Sequence, residues 1–138
     1  MTEDVQLLRQ MVSRSKSVYY DREGKPLELL EWCKLCEDEE YVTVKKEQVG
    51  KYLISTVWIG LNMNIFKDPI QIFETMIFSD KQDVLDPGDS LYGYQERYST
   101  LQEALSGHQK AIKAAEIQVF QEAESAKDSQ PEVSGQPQ

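Results

Sequence analysis

The sequence predicts an α+β fold: an antiparallel sheet of about four strands with helices packed on one face. Three observations carry that expectation. Residues 52–61 (YLISTVWIGL) and 70–78 (IQIFETMIF) are runs of β-branched and aromatic residues of strand length. Both are apolar at nearly every position rather than strictly alternating, which predicts central strands with part of each face covered. Behind them, Arg97-Tyr98-Ser99-Thr100 opens an amphipathic helix.

The remaining elements follow from the N-terminus. In residues 3–14, Val5, Leu8, Met11 and Val12 recur at helical spacing, with Thr2 as N-cap and acids in the first turn. Residues 17–20 form a brief extended run, ended by the turn chemistry of Asp21-Arg22-Glu23-Gly24-Lys25-Pro26. From Leu27 to about Glu37 the spacing of Leu29, Trp32, Cys33 and Cys36 predicts a helix with that face on the core. The acidic run 37–40 opposes the macrodipole at the helix C-terminus and should stop it promptly. Residues 41–46 then alternate into a strand, which Val49-Gly50-Lys51 turns back onto the run 52–61 as a hairpin. Residues 62–69, with two Asn and a Pro, make the next connection. Residues 79–93 read as an irregular loop, rejoined by a short run at 94–98.

The last helix has two overlapping capping boxes, Ser99 with Gln102 and Thr100 with Glu103. Its apolar stripe is Leu101, Ala104, Leu105, His108, Ile112, Ala115 and Val119, weakened at Gly107 by ~1 kcal/mol relative to Ala. Past Ala126 the Ser, Gln, Pro and Gly content is too polar to offset ordering. The predicted organisation is an N-terminal helix over residues 1–16, a single α+β domain over 17–126, and a disordered tail over 127–138. A chain of 138 residues with 40% apolar content supports one core.

Composition excludes several classes of function. The opening segment is acidic, without the basic and apolar regions of a secretory signal, and no apolar run reaches the ~20 residues that span a bilayer. A cytoplasmic protein without membrane contact is expected. A formal net charge of −9 argues against direct nucleic-acid binding, which Lys and Arg drive by releasing counterions. The acidity serves solubility on one reading and mimicry of a phosphate ladder on another.

Candidate chemistry is sparse. Cys33 and Cys36 have the outline of a redox pair, but Glu31, Glu37 and Asp38 flank them and raise a thiol pKa, so packing in the core is the expected role. A zinc site needs two ligands beyond these cysteines, and the chain offers one His. Asp80, Asp83, Asp86 and Asp89 recur every third residue, unlike calcium-loop ligands, and Pro87 intrudes, so they read as a solvated loop. No phosphate-cradling glycine loop occurs, and the sequence implies no metal and no cofactor. His108 lies on the apolar stripe, where a packed, hydrogen-bonded imidazole is expected; a general base is the alternative. Glu74 interrupts a central strand. It is either paired structurally, with Arg97 or a hydroxyl, or a site carboxylate facing Thr56 or Trp58.

The segments Ser55-Thr56-Val57-Trp58-Ile59-Gly60-Leu61, Ile72-Phe73-Glu74-Thr75-Met76-Ile77-Phe78 and Arg97-Tyr98-Ser99-Thr100, with Glu103-Ala104 and Gly107-His108, resemble a group of short, uncharacterised proteins of tailed bacteriophages and prophages. The resemblance takes in Tyr20-Asp21, Gly24, Pro26, Glu31-Trp32 and Glu37-Asp38, and so covers roughly residues 17–112. The group has an Asp-His pair after its first long strand, where this chain has Asn62-Met63. It has a Gly-rich connection where this chain has Phe66-Lys67-Asp68-Pro69. The resemblance implies a phage origin and the α+β block, and brings no activity with it.

Two functional readings result, with Trp58, Asn62, Glu74, Arg97 and His108 as candidate binding residues. The first is a non-enzymatic phage accessory protein that binds a host or phage protein, an inhibitor for instance, in the host cytoplasm. The second is a small enzyme or ligand-binding domain whose pocket gathers Trp58, Glu74, Arg97 and His108, which requires those side chains to converge. A third reading is a structural virion component that self-associates as a homo-oligomer through an uncovered strand edge.

Overall fold

In a computed structural model of the chain, which describes residues 18–64 and 67–129, a four-stranded antiparallel sheet carries one long helix across all its strands. The predicted helix over residues 1–16 and all but the start of the predicted tail lie outside the described residues. The sheet runs in the order β3 (Thr43–Val49), β4 (Tyr52–Trp58), β5 (Phe73–Ser79), β6 (Gln95–Tyr98). The two long runs are therefore its central strands. The small hairpin of β1 (Tyr19–Tyr20) and β2 (Pro26–Leu27), with α1 (Leu29–Cys36) and α2 (Glu39–Val42), closes one end of the core.

Burial on β4 and β5 alternates strictly. Tyr52, Ile54, Thr56 and Trp58 on β4, and Phe73, Thr75 and Ile77 on β5, are buried beneath α3 (Leu101–Ser129), while the residues between them are half-buried on the outer face. Burying each of Tyr52, Trp58 and Phe73 fully stabilises the fold by roughly 1.5–3 kcal/mol. Gly50, at φ +57, opens the two-residue β3–β4 turn, the position where a hairpin of this twist requires left-handed backbone. A register shift between Thr43 and Lys45 re-aims β3, so that Lys45 and Glu47, partners of Thr56 and Ile54, point to the α3 side.

Several expectations need correction. The strand over 52–61 stops at Trp58 and the strand over 70–78 starts at Phe73, because the N–H groups of Ile59 and Gly60 both donate to Ile72 O, at 2.7 and 3.1 Å, and break the ladder. The strand expected over 41–46 starts only at Thr43, because Tyr41 and Val42 belong to a separate helical turn. Asp38 caps α2 by accepting from Glu40 N and Tyr41 N, so Asp38, Glu39 and Glu40 lie at a helix N-terminus, where the dipole favours them, while α1 stops at Glu37 as expected. Arg22 closes its other end by donating to the carbonyl oxygens of Glu40, Tyr41 and Thr43.

Only Trp32 and Leu35 of α1 turn toward the core. Leu29 is half exposed and Cys33 and Cys36 are exposed, so the cysteines are not packing residues. Trp32 donates to Ile59 O at 3.0 Å and lies against Tyr19. That leaves room for one turn-spaced pair on the core, not a four-residue face.

On α3 the cap is Thr100, whose Oγ1 accepts from Glu103 N at 3.1 Å and also meets the Glu103 carboxylate. The buried stripe is Ala104, Gly107, His108, Ala111 and Ala115; Leu105 faces solvent. The helix runs on to Ser129, three residues past the predicted tail boundary, tied down as far as Glu122 by Lys51.

Candidate functional site

The chemistry of this fold is concentrated in one row of side chains across the α3 face. Thr56 and Thr75 are register partners on the central strands, and their hydroxyls meet at 2.5 Å. Thr56 Oγ1 lies 2.7 Å from His108 Nδ1, and His108 Nε2 lies 2.9 Å from Glu47 Oε1, with Lys45 Nζ 3.5 Å from the same oxygen. Thr56, Thr75 and His108 are completely buried, whereas the Glu47 side chain is 41% exposed at the sheet edge. Burial holds His108 below the ordinary imidazole pKa, opposed by Glu47 and assisted by Lys45, so the ring is neutral at neutral pH.

At the other end, the ring of Tyr98 presses on α3 where Gly107 leaves no Cβ to obstruct it. The Tyr98 hydroxyl is buried and closes no hydrogen bond among the described residues. Burial raises the Tyr98 pKa, opposed by Thr75 and reinforced by Tyr94 and Glu96. Beside it, a cleft of about 340 Å³ opens between β6 and α3, lined by Tyr94, Glu96, Tyr98 and Lys110 among others.

Hydroxyl, imidazole and carboxylate here stand in the order of a nucleophilic triad. The placement denies that chemistry. Thr56 sits in the middle of a central strand beneath α3, so no carbonyl carbon reaches its Oγ1, and it occupies no exposed strand-to-helix turn.

The five predicted residues do not form one pocket. Trp58 is buried on the α3 face, donating to Tyr20 O at 3.0 Å and meeting the Tyr41 ring edge-on at 4.8 Å. Asn62 is buried and organises its loop, its Oδ1 accepting from Asn64 N and Gln71 N at 3.0 Å each. His108 lies in the row just described. Glu74 and Arg97 pair in register with each other and with Val57 on the outer face, so Glu74 faces neither Thr56 nor Trp58. Glu74 Oε2 accepts from Arg97 Nε at 3.1 Å and from Gln95 Nε2 at 2.6 Å, the structural pairing expected for a carboxylate on a central strand.

A second polar cluster ties the far end of α3 to the sheet. Lys51 Nζ bridges Asp89, at 3.0 Å, and Glu122, at 2.8 Å, and the Tyr52 hydroxyl donates to Asp89 at 2.9 Å. Burial pushes Asp89 up, but Leu91 N–H, Lys51 and Tyr52 outweigh it and hold the carboxyl below its ordinary value. Lys51 is raised, chiefly by its bonds to Glu122 and Asp89. Asp89 is thus a structural anchor, while Asp80, Asp83 and Asp86 are exposed. The thiol of Cys36 is pushed up first by partial burial and then by Cys33. Among the described residues, no three His, Cys, Asp or Glu side chains converge as metal donors, and no helix is long and apolar enough to cross a membrane.

Sequence reasoning missed Glu47 and Thr56 as partners of His108, and Thr75 as the partner of Thr56. The signal was available in the alternation: with Tyr52, Ile54 and Trp58 pointing inward, Thr56 must as well, and Phe73 and Ile77 do the same for Thr75. Searches against family models, curated proteins and solved structures find no match for the chain.

Proposed function

We propose that this chain is a non-enzymatic protein-binding module, a phage-type accessory protein acting on a protein partner in the host cytoplasm. The observation that carries the reading is the outer face of the sheet. Leu53, Val57, Met76 and Phe78 are half-buried there and belong to neither core cluster, and among the described residues the helices pack on the opposite face. Exposed Lys46, Gln48 and Gln95, with partly exposed Arg97, border these apolar side chains. An apolar centre with a polar, Arg-containing border is the composition of a protein interface. Arg97 is held by Glu74 through Nε, which fixes the plane of its guanidinium on that face. The phage attribution rests on the resemblance of residues 17–112 described above, and the inhibitor role on small size and acidity.

The test is site-specific photo-crosslinking in lysate of infected cells. A photoreactive phenylalanine analogue at Met76 or Val57 should give a discrete heavier adduct, and the same analogue at Ile117 on the solvent side of α3 should not. Adducts from Ile117 alone, or an adduct at Met76 with the mass of two copies of this chain, would overturn the reading in favour of another surface or of self-association.

A further inference from the structure

The row from Tyr98 to Glu47 has a direction, and the direction follows from donor counts. Glu47 as a carboxylate only accepts, so His108 Nε2 carries the proton that bridges them at 2.9 Å. A neutral imidazole then has a bare Nδ1, which accepts from Thr56 at 2.7 Å. With its one proton committed, Thr56 accepts from Thr75 across 2.5 Å. Thr75 is committed in turn, and the next hydroxyl in line is Tyr98, the buried group left without a partner.

We propose that Tyr98, Thr75, Thr56, His108 and Glu47 form a proton-responsive switch, in which a second proton on His108 reverses every hydroxyl in the row and engages Tyr98 as its terminal acceptor. Nδ1–H must donate to Thr56, Thr56 to Thr75, and Thr75 to the lone pairs of Tyr98 Oη. The contact between Thr75 and Tyr98 is the one the row lacks, so Tyr98 Oη must close on Thr75 Oγ1, while the other heavy atoms keep their places because each hydroxyl both donates and accepts. The only covalent change is the proton gained at Nδ1.

The charges around the ring fit this role. From β3, Glu47 offers the counter-charge and Lys45 opposes it; from β4 Thr56 meets the ring, and Thr75 on β5 reaches it through Thr56; Glu96 on β6 and Tyr94 just before it act on the Tyr98 end. Tyr98 also lines the cleft between β6 and α3, so protonation near the β3 edge is felt at the opposite edge of the sheet. The switch spans one residue from each strand and one from the helix that crosses them.

His108 is the one histidine of the chain, so its ring nitrogens can be assigned without ambiguity in the full-length protein labelled with nitrogen-15 histidine. At pH 7.5 Nε2 should give the protonated shift and Nδ1 the bare one, with both becoming protonated on acidification. Tyr98→Phe should lower the His108 midpoint by about half a pH unit, the size of one ordinary hydrogen bond, because the reversed row loses its acceptor. Tyr94→Phe should leave the midpoint in place. In the wild-type chain, a carbon-13 label at tyrosine Cζ should show Tyr98, and not Tyr94, following the His108 titration, a readout that requires no variant. A proton on Nδ1 at pH 7.5, an unmoved or raised midpoint in Tyr98→Phe, or a Tyr98 signal indifferent to His108 would each overturn the proposal.

Discussion

Replacing Thr56 by Val keeps the shape of the β4 side chain and removes a hydroxyl that both accepts and donates in a completely dry place. His108 Nδ1 loses its donor and Thr75 loses its acceptor, and each buried group left unpaired costs about 1–3 kcal/mol. The added methyl group returns roughly 1 kcal/mol of apolar burial. The net loss should be about 1–5 kcal/mol, a large share of the ~5–15 kcal/mol that hold an ordinary domain folded. Thr75→Val in the wild-type background strips Thr56 of one donor and should cost only about 1 kcal/mol. Added to Thr56→Val it should cost less than about 0.5 kcal/mol, because the hydroxyl it deletes has already lost its acceptor. Urea unfolding followed by fluorescence of the two tryptophans, Trp32 and Trp58, measures all four corners of this cycle. If Thr56→Val lies within about 0.5 kcal/mol of wild type, or Thr75→Val costs the same in both backgrounds, the row is not a coupled network.

Three further outcomes are expected. Gly107→Ala should gain ~1 kcal/mol of helix propensity and lose more than that to overlap with the Tyr98 ring, so the melting temperature by circular dichroism falls. Stability should decline as pH falls below the unfolded-state histidine pKa of about 6.5, toward the lower value that burial gives His108. Through that window the unfolded chain binds more protons than the folded one, so stability rises with pH, and His108→Gln should flatten the slope. Cys33→Ser and Cys36→Ser should each change stability by less than about 0.5 kcal/mol, and both thiols of the native protein should react with a soluble thiol reagent.

The sheet was legible because its central strands need both a β-rich composition and partial cover on two faces, and residues 52–58 and 73–79 carry that pattern without ambiguity. Their ends were not. Ile59, Leu61, Ile70 and Ile72 are as apolar as the strand residues, but paired backbone donors converging on Ile72 O end the ladder, and no side chain announces that bond. The preceding helix does end at Glu37, but Asp38, Glu39 and Glu40 were read by their cost to it when their stabilising position is at the start of the next one. The cysteines illustrate a different limit: their i, i+3 spacing with Leu29 is compatible with an inward face, but Trp32 and Leu35 compete for the same contact and the larger ring decides the rotation of α1.

The candidate site was half legible for a related reason. His108 on an apolar stripe and Glu74 on an apolar strand each announce a polar group that needs a partner. Arg97 was within reach of sequence reasoning, since two adjacent strands in register place it beside Glu74. Glu47 was not, because a register shift in β3 decides which face it takes. The consequence for function lies in how the two groups are satisfied. His108 spends one hydrogen bond inward on Thr56 and the other on Glu47 at the sheet edge, a row that fixes how α3 sits across the strands. Glu74 spends its bonds on holding Arg97 and Gln95 outward, on the face where Leu53, Val57, Met76 and Phe78 remain half-covered. Polar groups in this fold are therefore spent on the helix–sheet contact on one side and on holding Arg97 and Gln95 over the outer face on the other.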